Sequence, residues 1–164
     1  MARVVLGEAA IPFHATLFDK SPASNWLVAW HQDAALPLLA RRELYGWGPW
    51  STKEGVTCAH APAEALEQVL AIRVHPDDST ESNGPLRVIP NTHGDGVLTD
   101  AEVQERVANS VGIACAVGRG GVVLMRPLAI HASSKSDSDA PRRVLHIEYA
   151  SCLEIAEGLC LAVA

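Results

Sequence analysis

Two residues that could bind a metal ion lie close together in the segment NWLVAWHQD, residues 25–33. This segment is predicted to be a strand, and its two-residue period places His31 and Asp33 on the same face. An imidazole and a carboxylate on one rigid element can bind one ion. Two histidines and one carboxylate form the facial triad of non-haem Fe(II) oxygenases, which leaves coordination positions open. The pair therefore predicts half of such a site and requires a second histidine.

His131 is the strongest candidate for that second histidine. It ends an apolar stretch, 120–130, and precedes the polar loop SSKSDSD, 133–139, so it would lie at the mouth of a barrel. Lone histidines are more often surface or satisfied core residues than ligands. The remaining histidines are left unassigned on this ground: His14, His60, His75, His93 and His146.

The predicted elements are mostly short strands separated by turn signals. We expect strands at 68–75, 86–89, 120–130 and 142–150, and a helix at 99–109 that begins at Thr99 or Asp100. The segment 34–61, rich in Pro, Gly and Trp, is predicted to be a long irregular connection. The segment 153–164 fits either a strand or a short helix. Short strands at these intervals favour a β-sandwich or barrel.

Composition limits the remaining possibilities. The 164 residues fit one domain, 1–164, and the formal net charge of −6 comes without a basic stripe, so nucleic acid is not expected as a partner. No apolar stretch approaches the roughly 20 residues of a membrane-spanning helix, and no export signal is evident. The four cysteines form no CxxC pair and predict reduced thiols. We expect a cytoplasmic protein without a membrane partner.

Three linked segments follow one another between about residue 18 and residue 150: NWLVAWHQD, ESNGPLRVIPNTH, and the stretch from Gly120 through HASS to PRRVLHIEYA. In their order and approximate spacing they resemble the phytanoyl-CoA dioxygenase family of Fe(II)/2-oxoglutarate oxygenases. The resemblance implies a mainly β fold, a double-stranded β-helix (jelly-roll, cupin-like) barrel with one or two short helices. It also implies that His31, Asp33 and His131 bind Fe(II) and are the catalytic residues.

The same resemblance implies a set of residues that bind the cosubstrate 2-oxoglutarate. Arg142, eleven residues after the distal histidine, would pair with the far carboxylate, because a guanidinium matches a carboxylate with two parallel hydrogen bonds. Its neighbour Arg143 would face the other way and is the alternative. Ser133 is implied to hold the same carboxylate. Gln32 is implied to lie near the cosubstrate, and Arg73 either contacts cosubstrate or substrate or is a surface residue.

Two further features of the sequence carry expectations. Asn91 stands where the family's Pro-Gly-Ser/Thr-His turn has glycine, and we expect the turn to survive because Asn tolerates the left-handed conformation. His93 in the same turn is expected to be structural. Trp47 and Trp50 would either line a substrate pocket or form a minor core under their loop.

The predicted reaction is hydroxylation of a small-molecule metabolite by O₂, with release of succinate and CO₂. Asp33 favours hydroxylation because halide-transferring relatives have a small residue at this position; desaturation and ring closure stay open. The alternatives are a vestigial module that binds metal and 2-oxoglutarate without turnover, and a cupin-like metalloenzyme that does not use 2-oxoglutarate. Relatives carry a helical region ahead of the first iron-binding strand, whereas His31 follows only thirty residues here. A second subunit could supply that cover, so a homodimer is expected.

Overall fold

The computed structural model describes residues 1–163. Its α-helices are α1 (Ala2–Leu6), α2 (Ala63–Leu66) and α3 (Asp100–Ala108), with 3₁₀ turns at Glu81–Asn83 and Thr92–Gly94. The strands are β1 (Ile11–Lys20), β2 (Val28–His31), β3 (Ala35–Leu38), β4 (Trp50–Lys53), β5 (Val56–His60), β6 (Val69–Val74), β7 (Leu86–Val88), β8 (Ile113–Ala114), β9 (Val122–Met125), β10 (His131–Ser133), β11 (Arg142–Ala150), β12 (Glu154–Ala156) and β13 (Leu159–Cys160).

Eight of these strands form two four-stranded antiparallel sheets. The first sheet has the order β1-β11-β6-β9, and the second has the order β2-β10-β7-β8. Strands β1, β6, β9 and β11 form one sheet, and strands β2, β7, β8 and β10 form the other, so the chain crosses repeatedly between the two sheets. This alternation is the double-sheet jelly roll, so the predicted fold is confirmed. Residues 1–163 contain three short α-helices rather than the one or two expected.

The segment 34–61 was predicted to be irregular, and this prediction is wrong. It contains a three-stranded sheet of order β3-β5-β4, and β3 buries Leu36 and Leu38 in the main core. A two-residue turn joins β4 to β5, with φ of 50° at Glu54 and 84° at Gly55. Two successive positive φ angles characterise the hairpin turn that usually carries Asn-Gly or Asp-Gly, so Glu-Gly gave a weak signal.

The remaining elements close the core around the jelly roll. The segment 153–164, left open between strand and helix, forms the hairpin of β12 and β13 over its described residues; Ala164 lies outside them. Ile155 and Leu161 from this region pack with Phe13 of β1 in the largest apolar cluster. Helix α3 begins as predicted, with Thr99 and Glu102 forming a capping box. Within residues 1–163 no helix has the length and apolar character needed to span a bilayer.

Candidate metal centre

His31, Asp33 and His131 come together at one end of the jelly roll. Asp33 lies between the two imidazoles, with His31 Nε2 at 3.4 Å from Oδ1 and His131 Nε2 at 3.4 Å from Oδ2. One ligand atom from each residue lies within 4.8 Å of the other two. The three donors therefore face a common point.

Strand pairing explains how residues so far apart in the chain meet. β2 and β10 are antiparallel neighbours, and His31 lies directly opposite His131. His131 begins a strand instead of ending one as predicted, because β9 stops at Met125 and Pro127 interrupts the apolar run. Asp33 follows the end of β2, where its amide N–H donates to the carbonyl of Pro127 at 2.9 Å. This bond fixes the aspartate beside the two histidines.

The predicted two-residue alternation along residues 25–33 holds only in part. The register between β2 and β10 shifts, so that Val28 rather than Ala29 pairs with Ser133 on the other strand. Val28 therefore lines the cavity, whereas Leu27 is exposed. Such an irregularity turns a strand locally and redirects side chains, and it cannot be located from periodicity alone.

Backbone carbonyls fix the orientation of both imidazoles. His31 Nδ1 lies 2.8 Å from the carbonyl of Ala29, and His131 Nδ1 lies 2.9 Å from the carbonyl of Ala129. A ring N–H on Nδ1 that donates to a carbonyl leaves the Nε2 lone pair available to a metal. In both histidines Nε2 is the atom that faces Asp33.

The pKa shifts of His131 and Asp33 suit a cation site. Burial lowers the pKa of His131, which keeps this imidazole neutral. The hydrogen bond with Asp33 raises the pKa of His31. Desolvation opposes ionisation of Asp33, but the neighbouring histidines outweigh it and lower its pKa. Two imidazole nitrogens and a carboxylate match the donor set of a non-haem Fe(II) site, so the residues present fit the metal.

The centre opens into a cavity of about 460 Å³ between the two main sheets. Its polar wall is formed largely by alternate residues of β1 and β11, whose side chains point inward, together with Arg73 of β6. The residues that line the cavity outside the metal centre include His14, Thr16, Trp26, Lys53, His60, Arg73, Ser133, Arg142, His146 and Glu148.

Arg142 and Arg143 are the two candidate partners of the cosubstrate carboxylate, and the structure places them on opposite faces of β11. Arg142 is buried in the cavity wall, where Nε donates to the carbonyl of Asn83 at 3.2 Å. Its Nη1 is buried and has no partner among residues 1–163. Arg143 points to the opposite face and binds Asp77 with two side-chain hydrogen bonds of 2.7 and 2.8 Å.

Ser133 and Gln32 are already engaged within the protein. The Ser133 hydroxyl donates to the carbonyl of Gly84 at 2.9 Å and accepts a hydrogen bond from Lys20 at 2.8 Å. Gln32 donates through Nε2 to the carbonyls of Gly96 and Leu128, at 2.9 and 2.8 Å. Its Oε1 also accepts the amide N–H of residue 98. Both polar groups therefore hold neighbouring backbone in place.

Arg73 is a buried residue of the cavity wall, which rules out the surface alternative. Its Nη1 lies 2.9 Å from His146 Nδ1, its guanidinium lies over Phe18, and its Nε is buried without a partner in the described chain. Burial lowers the pKa of Arg73 to about 10, and burial together with Arg73 lowers that of His146 to about 4. His146 is thus a neutral cavity residue that sequence reasoning missed, although it is an even number of residues from Arg142 on β11.

Glu148 and His14 lie opposite each other on β11 and β1, farther along the same wall from Arg142. Burial, assisted by the charge of Asp33, raises the pKa of Glu148 to about 7. His14 Nε2 lies 3.2 Å from Thr16 Oγ1, and its Nδ1 is buried without a partner in residues 1–163. Sequence reasoning did not single out either residue for the cavity, because only the β1–β11 pairing brings them together.

The remaining candidates fall outside the metal centre. His93 is exposed on the turn after β7, and Asn91 ahead of it has φ of 67°, so the predicted left-handed turn is confirmed. Trp47 and Trp50 pack against the main core and are not among the residues that line the cavity. This matches the minor-core alternative for the two tryptophans.

The fold is a cupin-like jelly roll, and His31, Asp33 and His131 supply the donor set of a candidate non-haem metal centre. A family model matches residues 2–144, and the chain belongs to the phytanoyl-CoA dioxygenase (PhyH) family. Members of this family use Fe(II) and 2-oxoglutarate. Among curated proteins, none matches the chain in sequence.

Three solved structures illustrate the shared fold. AviO1 from Streptomyces viridochromogenes Tue57 is 24% identical, with 91% of this chain and 56% of that chain covered and a TM-score of 0.62. EctD from S. alaskensis with bound Fe is 21% identical, with coverages of 91% and 47% and a TM-score of 0.65. The non-heme alpha-ketoglutarate-dependent epimerase SnoN from nogalamycin biosynthesis is 17% identical, with coverages of 85% and 46% and a TM-score of 0.56. The chain spans about half the length of these structures.

Proposed function

We propose that this chain is an Fe(II)- and 2-oxoglutarate-dependent dioxygenase that hydroxylates a small-molecule metabolite and releases succinate and CO₂. The observation that carries the proposal is one cavity that holds both a facial set of metal donors and a buried arginine with a free N–H. Family membership and the EctD structures with Fe and with 2-oxoglutarate and 5-hydroxyectoine support it.

In this proposal His31, Asp33 and His131 hold the metal. The carbonyls of Ala29 and Ala129 keep each Nε2 lone pair directed at the ion, so little reorganisation is needed on binding. When bound, Fe(II) supplies open coordination positions at which a 2-oxo acid and O₂ react. The protein contributes the geometry of the donors and the polar wall around them.

Arg142 orients the cosubstrate. Its unpaired Nη1 inside the cavity can donate to the far carboxylate, and a charge-assisted bond in a buried site gives both affinity and direction. Arg73 lies in the same cavity wall, within the influence of the charges of Arg142 and Asp33, and also has an unused N–H, so we assign it to the wall that contacts cosubstrate or substrate. Gln32 is assigned a positioning role, because backbone groups occupy its amide.

In this proposal the substrate contacts the part of the cavity wall that is farther from Arg142. Glu148 and His14 lie there with Thr16 on the cavity surface, and they offer hydrogen bonds to a polar group of the substrate. The cavity volume of about 460 Å³ is in the range of small-molecule sites. A small polar metabolite is therefore the proposed substrate class.

The decisive experiment measures succinate release from 2-oxoglutarate with Fe(II), ascorbate and a panel of metabolites. His31→Ala should abolish iron-dependent release, whereas His93→Ala, which changes an exposed histidine outside the cavity, should retain it. Binding of 2-oxoglutarate without turnover would favour the vestigial module. Metal-dependent conversion of a metabolite without 2-oxoglutarate would favour the cupin-like alternative. Absence of both turnover and 2-oxoglutarate binding would contradict the proposal.

The homodimer stays a prediction. Light scattering at high protein concentration tests it, and a strictly monomeric mass would contradict it.

A further inference from the structure

Glu148 is a carboxylate of the cavity wall that has no counter-charge within the protein. It is half-buried on β11, and none of the ion pairs within residues 1–163 includes it. The other carboxylate that lines the cavity is Asp33, which lies between two histidines of the metal centre. Glu148 is therefore an acidic group that the metal centre does not use.

The residues beside Glu148 on the sheet carry no positive charge to offset it. His14 of β1 and Ala71 of β6 lie directly opposite Glu148 in the two strand pairings. The His14 ring is engaged through Nε2 with a threonine hydroxyl at 3.2 Å, and alanine has no polar side chain. His146, the next inward-facing residue of β11, is neutral because burial lowers its pKa to about 4. The sheet therefore leaves this carboxyl group uncompensated.

Arg73, which pairs with His146 across β6 and β11, is the cation nearest to Glu148 in the strand register. Its Nη1 lies 2.9 Å from His146 Nδ1, and its guanidinium lies 5.3 Å from the centre of the Phe18 ring. Phe18 lies on the side of His146 away from Glu148, and the cavity acid that acts on the pKa of Arg73 is Asp33. Arg73 is thus turned towards the metal side of the cavity.

The two ends of the β11 wall carry opposite charges. Arg142 and Glu148 both line the cavity and lie six positions apart on one strand, about 20 Å at roughly 3.3 Å per residue. Charges at that separation are largely screened from each other in solution. The cationic end and the acidic end can therefore bind ligand groups of opposite sign.

The energetics of Glu148 favour a cationic ligand group over a neutral one. Burial raises the pKa of Glu148 to about 7, and the charge of Asp33 adds to this rise. A carboxylate that loses hydration is costly unless a partner compensates for it. A protonated amine supplies both hydrogen-bond donors and the missing charge, and such charge-assisted bonds are roughly twice as strong as neutral ones. A hydroxyl supplies a donor alone, and an anion is repelled.

We propose that Glu148 determines substrate specificity by binding a protonated basic nitrogen, so that the substrate is a small organic ammonium ion. The inference rests on the proposed function for the claim that this ligand is the substrate. An anionic cosubstrate at the Arg142 end and a cationic substrate at the Glu148 end would each be repelled from the other's place. The charge of the wall then fixes which molecule binds where.

The test compares ligands that share a carbon skeleton and differ in charge: cyclohexylammonium, cyclohexanol and cyclohexanecarboxylate. A second pair, n-butylammonium and n-butanol, has a narrower shape. Calorimetry is done on anaerobic protein loaded with Mn(II) and 2-oxoglutarate at about pH 8, above the pKa of Glu148. Wild-type protein should prefer each ammonium ion to its alcohol. Glu148→Gln should weaken ammonium binding by about 10-fold to 100-fold, the loss expected for a hydrogen bond between charged groups, and leave alcohol binding unchanged.

Two further variants separate charge from structure. Glu8→Gln, which changes an exposed glutamate outside the cavity, is the matched control and should alter none of the affinities. Glu148→Asp keeps the charge on a shorter side chain and should retain a preference for ammonium. Thermal unfolding of metal-free Glu148→Gln should show no loss of melting temperature, because an uncompensated charge has been removed. An equal loss of ammonium and alcohol binding with a lowered melting temperature would overturn the inference and assign Glu148 to the structure.

The remaining outcomes distinguish this inference from the proposed function. No preference for ammonium in either series of wild-type measurements would overturn the inference. So would 2-oxoglutarate turnover with neutral metabolites alone, at equal rates in wild type and Glu148→Gln, although the proposed function would then stand. Ammonium binding that depends on Glu148 in metal-free protein, without 2-oxoglutarate turnover under any condition, would support the cation subsite and contradict the proposed function.

Discussion

Arg142 and Arg143 are adjacent in the chain but lie in opposite environments across strand β11. Arg142 is buried in the cavity with an unpaired Nη1, whereas Arg143 binds Asp77 on the outer face with two side-chain hydrogen bonds. The alternation of a strand thus directs one arginine into the cavity and the other into an ion pair on the outer face.

Replacing Arg142 by lysine should weaken 2-oxoglutarate binding by about 10-fold to 100-fold. Lysine keeps the charge but cannot offer the planar fork of donors that a carboxylate matches, and a hydrogen bond to a charged group contributes about 1.5–3 kcal/mol. Calorimetry on Mn(II)-loaded protein measures the effect. Arg143→Lys is the matched control, and an equal loss in that variant would contradict the assignment of Arg142.

Asp77→Asn should lower the melting temperature at pH 7 by about 2–4 °C, the shift expected for one ion pair that is partly screened by solvent. The hydrogen bonds from Arg143 lower the pKa of Asp77 from 3.8 to about 2. A group with a lowered pKa in the folded state stabilises the protein above its unfolded value of 3.8, and this contribution is lost as the pH falls towards 2. Unfolding curves of both proteins between pH 7 and pH 2.5 should therefore converge at the acid end. A constant difference would contradict the role of the ion pair.

The parts of the fold that could be predicted are those with strong local signals. Strand β11 alternates apolar and polar residues from Leu145 to Tyr149, and its predicted bounds, 142–150, match the structure. The N-cap of α3 also follows from neighbouring residues, and the left-handed Asn91 follows from the turn that the family carries at this position. In contrast, the hairpin at Glu54 and Gly55 carries a weaker turn pair than Asn-Gly, so its two strands were missed.

In the candidate site, too, only the residues with a strong local signal could be predicted from the sequence. His31 and Asp33 could be recognised together because they lie two positions apart, and His131 could be placed only through linked motifs. Glu148 could not be predicted as a cavity residue, since its environment depends on the pairing of β1 with β11 from opposite ends of the chain. Local periodicity predicts which residues share one face of a strand, but the residues that this face contacts depend on which strand pairs with it.

Fe(II) should raise the melting temperature of the wild-type protein and leave that of His131→Ala nearly unchanged. A ligand at 100 times its Kd stabilises a protein by about 2.7 kcal/mol, which corresponds to roughly 5–10 °C in a chain of this size. Anaerobic differential scanning fluorimetry with and without Fe(II) measures the shift, and excess chelator should reverse it. His93→Ala is the control that should keep the full shift. A full shift in His131→Ala would exclude this histidine as a ligand.

Gln32→Leu should destabilise the metal-free protein by about 2–4 kcal/mol, with 2-oxoglutarate affinity largely retained in the protein that stays folded. The Gln32 amide binds the carbonyls of Gly96 and Leu128 and the amide N–H of Leu98, and leucine would leave these groups without their partners. Urea unfolding measures the loss. Gln104→Leu, at an exposed position of α3, is the matched control and should change stability by less than about 0.5 kcal/mol. If Gln32→Leu kept its stability and lost only 2-oxoglutarate binding, the side chain would be a cosubstrate contact, because a residue that merely joins the loops has no reason to spare the fold and affect the ligand.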